Sequence, residues 1–137
     1  MIRTFPPRVL VAIIFFILLA NAAVLYWDLL FYIWWLDIPL HVLGGLWITL
    51  FVLSSYYSFF HAVGKEHSPV FVFSFAVALT LSVGLFWEIY EFAVDHAVGD
   101  SGVGLADTLK DLVDDLIGAM IGALIFIRGN YHGTYGP

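Results

Sequence analysis

The sequence predicts an all-α integral membrane protein, a single-domain bundle of four transmembrane helices with both termini cytoplasmic. Three observations lead there. Of the 137 residues, 62% are hydrophobic, and the mean hydropathy is +0.97, more apolar than a small soluble domain needs. Apolar runs longer than the roughly 18 residues that mark a membrane helix recur along the chain. Once four spans are drawn, Arg3, Arg8, Lys65 and Arg128 all fall on one side.

The first span follows "MIRTFPPR" and covers about residues 9–28, with a tilted continuation to Trp35 as an alternative. The same segment has the outline of a signal peptide, with Arg3 and Arg8 ahead of an apolar core and Ala20-Asn21-Ala22 as a cleavage site. The apolar character continuing past Ala22 favours a span. "LYWDLLFYIWWLD" then concentrates Tyr26, Trp27, Tyr32, Trp34 and Trp35, the amphipathic aromatics of a membrane interface. The second span, residues 39–60, opens at "DIPLHVLGG", where Pro39 suits a first helical turn. After the polar "HAVGKEHS", Ser68-Pro69 reads as an N-cap with proline at the first helical position, opening the third span over residues 69–96. "VGDSGVGLA" is a glycine-rich turn, and the fourth span, residues 107–128, ends at Arg128 before a frayed tail.

The basic residues place both termini and the Lys65 loop in the cytoplasm, in the cytoplasmic (inner) membrane of a bacterium or archaeon. Ten of the eleven acidic residues, all but Glu66, then lie in the outward half. With no cysteine, disulfides and thiolate metal sites are excluded, and five scattered Lys and Arg make no patch for nucleic acid.

Counting depth along spans three and four at about 1.5 Å per residue pairs Asp95 with Asp107 and Glu91 with Asp111. The same count sets Glu88 against Asp114 and Asp115, on the order of 12–15 Å deep. Glu88, Glu91 and Asp95 share one helix face, as do Asp107, Asp111 and Asp114 with Asp115 at its edge. Span two contributes Asp37 and, one turn deeper, His41. Gly44 and Gly45 lie below them, and Gly84, Gly118 and Gly122 mark close helix approaches under the acids. Lys110, the one cation nearby, is turned by its helical position away from Asp107 and Asp111 and towards Asp114. Acids at such depth cost about 2.5–3.5 kcal/mol each on insertion scales, so they are expected to be protonated or to hold cations. Carboxylates plus one imidazole favour Mg²⁺, Ca²⁺ or Mn²⁺, with Zn²⁺ or Fe²⁺ admissible if His41 ligates.

Plainer roles compete for several of these residues. Asp107 suits an N-cap as well as a ligand, Asp95, His96 and Asp100 suit solvated loops, and Asp37 suits an interface. His41 suits a hydrogen-bonded structural histidine, although its spacing from Asp37 favours the site, and the buried acids suit interhelical hydrogen bonding. Asn21 suits an interhelical hydrogen bond, and His61, His67 and His132 lack partners at ligand spacing.

Three ordered blocks, "LDIPLHVLGG", "WEIYEF" followed by Asp95, and "LADTLKDLVDDLIGAMIGAL", resemble the YjdF-like bacterial membrane proteins. The resemblance covers Asp37 to about Leu124, in a chain shorter than those proteins, and implies that Asp37, His41, Glu88, Glu91, Asp107 and Asp111 form one site. A looser pattern is similar to VanZ-like proteins, which tend to carry an arginine that is missing here. Neither family brings an assigned reaction.

Together these features predict an outward-facing divalent-cation site formed by Asp37, His41, Glu88, Glu91, Asp107, Asp111, Asp114 and Asp115. It would support metal-assisted chemistry on a lipid or envelope substrate, with Glu88 or Asp114 as general base. The rival readings are a proton- or cation-conducting homodimer, and a structural or partner-binding protein. The inward half offers Thr49, Ser54, Ser55, Thr80 and Ser82 as polar candidates and no acid within its spans, which favours a blind pocket over a conduction path.

Overall fold

A computed structural model describes residues 4–59, 67–99 and 104–132. Arg3, His61, Lys65, Glu66 and Asp100 lie outside the described residues. The described chain is all helical: α1 Pro7–Tyr26, α2 Leu29–Tyr32, a 3₁₀ turn Trp34–Leu36, α3 Asp37–Phe59, α4 Pro69–Val98 and α5 Leu105–Arg128. Three segments are long and apolar enough to cross a membrane: Pro7–Tyr26, Trp34–Phe59 and Pro69–Val98. α5 has the length, but every 18-residue stretch of it contains Asp111, Asp114 and Asp115.

The continuation of the first span to Trp35 is not seen. α1 stops at Tyr26, and Asp28 takes a left-handed conformation (φ 51°). The aromatic stretch then forms one short helix and a 3₁₀ turn, with Trp27, Phe31, Tyr32 and Trp34 exposed. α4 starts as the Ser68-Pro69 pattern requires: the Ser68 hydroxyl accepts from the Phe71 amide at 3.2 Å. It ends at Gly99, whose φ of 78° is inexpensive only without a Cβ.

α3 and α5 run side by side in the same direction. Asp37 meets Lys110 at one end, and Tyr57 meets Phe126 at the other. Small residues set their spacing. A Cβ on Gly118 would overlap the Val42 carbonyl oxygen, one on Gly122 would stand 3.0 Å from the Leu46 oxygen, and one on Gly45 would strike the Asp115 backbone. Gly44, by contrast, faces open space. α4 runs antiparallel to this pair, with Thr80 against Thr49 and Phe75 against Tyr56. α1 joins through α3, where the Trp47 indole donates to the Leu10 carbonyl at 2.8 Å. Most of α1 is uncovered: Phe15 is 60% and Leu19 69% exposed, as suits a helix facing lipid. Asn21 bonds back to the Ile17 carbonyl of its own helix at 3.0 Å, in place of the interhelical bond expected.

The bundle divides along its length. At one end Phe5, Leu53, Tyr57, Val72, Ala76, Ala123 and Phe126 form a buried apolar core. Here His67 meets the Tyr56 hydroxyl at 3.1 Å and stacks on Phe71, partners its sequence spacing did not reveal. Halfway along, the buried hydroxyls of Thr49 and Thr80 pair at 2.7 Å. The acids gather at the far end. Thr49→Val should strand the Thr80 hydroxyl and lower stability by about 1 kcal/mol, and Thr49→Val/Thr80→Val should regain most of it. Thermal unfolding of the two variants in one detergent checks this.

Candidate functional site

The heads of α3 and α5 and the last third of α4 build a polar cluster. Asp37 and His41, one turn apart, look across the α3–α5 seam. The His41 Nε2 atom lies 3.6 Å from Asp37 Oδ1 and 3.8 Å from Asp111 Oδ1, and its Nδ1 lies 3.5 Å from Asp115 Oδ1. These separations exceed hydrogen-bond length. One donor atom each from Asp37, His41 and Asp111 fit within 4.8 Å of one another. Two donors bound to one ion at about 2.0–2.6 Å stand on the order of 3–5 Å apart, so the trio has the dimensions of a cation cradle.

Asp111, Asp114, Asp115 and Glu88 are all buried, with Glu88 only 5% and Asp114 7% exposed. Asp115 holds the centre: one oxygen faces His41, and the other sits where a Cβ on Gly84 would be. Gly84 thus admits a carboxylate, where the sequence had suggested a close backbone. Two buried oxygens, Glu88 Oε1 and Asp114 Oδ2, have no hydrogen-bond partner. A stranded buried carboxyl oxygen is costly, which marks both as positions for a ligand or a proton.

Lys110 belongs to the cluster, contrary to the helical-wheel expectation that it turns from Asp107 and Asp111 towards Asp114. Its ammonium donates to Asp37 Oδ2 at 2.7 Å and to Asp111 Oδ1 at close range, with Asp107 at 3.8 Å and Asp114 at 3.9 Å. Its long flexible stem carries the charge around the helix. Acids three before, one after and four after it on one helix were the sequence signal for this role.

The depth count between α4 and α5 is corrected by about one turn. The Asp115 carboxylate is seated on Gly84, which sets Glu88 level with about Asp111, one turn from the expected Asp114 and Asp115, with its side chain reaching Thr108. Glu91 lies half-buried nearer the end of α4, against the Trp87 side chain. Asp107 is the third residue of α5, with Gly104 at the cap position; it lies in the first turn without capping the helix by a side-chain bond. Of the eight candidates, Asp37, His41, Asp111 and Asp115 are brought together, Asp107 and Asp114 ring Lys110, and Glu88 and Glu91 line α4.

A family model described as "Predicted membrane protein (DUF2238)" matches residues 3–131. The chain belongs to this family. The YjdF-like proteins whose three blocks it shares are DUF2238 under another name, and the comparison carries no support for the VanZ-like pattern. No curated protein and no solved structure matches the chain. The family match spans α1 to α5 and so includes every residue of the cluster.

Proposed function

We propose that this DUF2238 protein binds a divalent cation between Asp37, His41 and Asp111, in a blind pocket that opens on the outer face of the membrane. The observation that carries this is the approach of those three donor groups to within 4.8 Å in a bilayer-embedded bundle. Glu88 Oε1 and Asp114 Oδ2, neither of which accepts a hydrogen bond, add anionic capacity beside it. Arg8 and Arg128, at the start of α1 and the end of α5, lie at the opposite end, which by the positive-inside rule is cytoplasmic. Below the acids, the Thr49–Thr80 pair and the apolar core argue against a conduction path.

A bound divalent ion would supply Lewis-acid polarisation or an activated water. Glu88, whose Oε1 has no hydrogen-bond partner, would accept the proton, and the exposed Trp and Tyr residues before α3 set the pocket mouth at headgroup depth. The substrate class is therefore a lipid or envelope precursor presented at that surface.

Titrating Mn²⁺, Mg²⁺, Ca²⁺ and Zn²⁺ into protein reconstituted in nanodiscs tests the reading. One ion per chain is expected, with affinity reduced at least tenfold by Asp111→Asn and by His41→Ala and left within about twofold by Asn21→Ala. Absence of stoichiometric binding, or indifference to Asp111→Asn, overturns it.

A further inference from the structure

Lys110 is bonded to two of the three residues proposed to hold the ion. Asp111 Oδ1, the oxygen that faces His41 Nε2 at 3.8 Å, is also the one that accepts from the Lys110 ammonium. Asp37 divides its oxygens, Oδ1 towards His41 and Oδ2 to Lys110. An ion between Asp37, His41 and Asp111 would therefore meet Lys110 as a like charge on shared oxygens. The ammonium has somewhere to go: Asp107 lies 3.8 Å away at the rim, and Asp114 Oδ2, 3.9 Å away, has no hydrogen-bond partner.

We propose that Lys110 is the residue that selects divalent over monovalent cations, as a tethered competitor for Asp37 and Asp111 that moves to Asp107 or Asp114 when the ion binds. This rests on the cation-site reading above. A monovalent ion replaces one unit charge by another, and Lys110 returns at the high effective concentration its backbone attachment gives it. A divalent ion brings two charges to the same oxygens and prevails. Without Lys110 the carboxylates are left for whatever cation is abundant.

Mn²⁺ binding to the full chain in nanodiscs is followed by electron paramagnetic resonance, in NaCl and in choline chloride of equal ionic strength. The wild type should bind Mn²⁺ equally in the two salts. Lys110→Met should bind Mn²⁺ at least tenfold more tightly in choline chloride and lose at least tenfold of that in NaCl, while Lys110→Arg should behave as the wild type. A measurement that needs no variant accompanies these: acetylation of Lys110 relative to Lys65 in the wild type should change at least threefold when Mn²⁺ is added. If Lys110→Met does not fold, the acetylation ratio decides. Mn²⁺ binding with an unchanged acetylation ratio and no sensitivity to Lys110→Met overturns this inference and leaves the cation site standing. Failure of the wild type and Lys110→Met alike to bind Mn²⁺ removes both.

Discussion

Gly118→Val is expected to part α3 from α5 and to abolish the polar cluster with the fold, at a cost of about 3 kcal/mol or more. The reason lies in what a side chain there would strike. A Cβ at Gly118 overlaps the Val42 carbonyl oxygen and lies 2.7 Å from the Leu46 amide nitrogen, both backbone atoms that no rotamer change can move. Relief requires the two helices to separate, and Gly45 and Gly122 make the same seam tight above and below. Separation at Gly118 also draws His41 from Asp115 and Asp37 from Lys110, since these pairs span the same seam. Gly44→Ala is the control, because that position meets nothing within 4 Å. Its added helix propensity predicts neutrality or a gain of up to about 1 kcal/mol. Unfolding midpoints in one detergent check the pair. Equal effects at Gly44 and Gly118 would mean that α3 and α5 do not approach as described.

Much of this arrangement is written locally, and the rest depends on how helices meet. Ser68-Pro69 announces the start of α4 because an N-cap and a first-turn proline act through their own backbone. The stripes on α5 and the head of α3 converge as periodicity requires, since Asp37, His41, Asp111 and Asp115 are all brought together. Depth between helices is not local. Counting from assumed span ends set Glu88 against Asp114 and Asp115, whereas the seating of the Asp115 carboxylate on Gly84 fixes the register one turn away. Lys110 escaped for a related reason: a helical wheel locates Cβ directions, and a four-carbon stem carries its charge well off that direction. The run from Tyr26 to Leu36 is apolar enough to prolong α1, and the left-handed backbone at Asp28 and the non-helical Ile33 (φ −136°) break it.

Asp111→Leu is expected to cost about 2–4 kcal/mol, and Lys110→Met in the same chain to return part of that. Asp111 is only 4% exposed and accepts from Lys110 while facing His41, so an apolar side chain there takes a bonded carboxylate from Lys110 and a polar neighbour from His41. The cost falls below that of a fully buried pair because Lys110 is 29% exposed and still holds Asp37. Removing Lys110 as well replaces the pair by two apolar side chains of fair size, a change that is often near neutral in buried pairs. Asp37 then keeps only its 3.6 Å neighbour His41, which makes the recovery partial. Asp107→Leu, at the rim and 3.8 Å from Lys110, should stay within about 0.5 kcal/mol. Unfolding midpoints of the wild type, Asp111→Leu, Lys110→Met and the double variant give the coupling directly, and strictly additive losses at Lys110 and Asp111 would deny the pair. Mn²⁺ binding separates this effect from function: Asp111→Leu should lose it, and Lys110→Met should restore stability without restoring the ion, because the missing carboxylate is a ligand and the missing lysine is not.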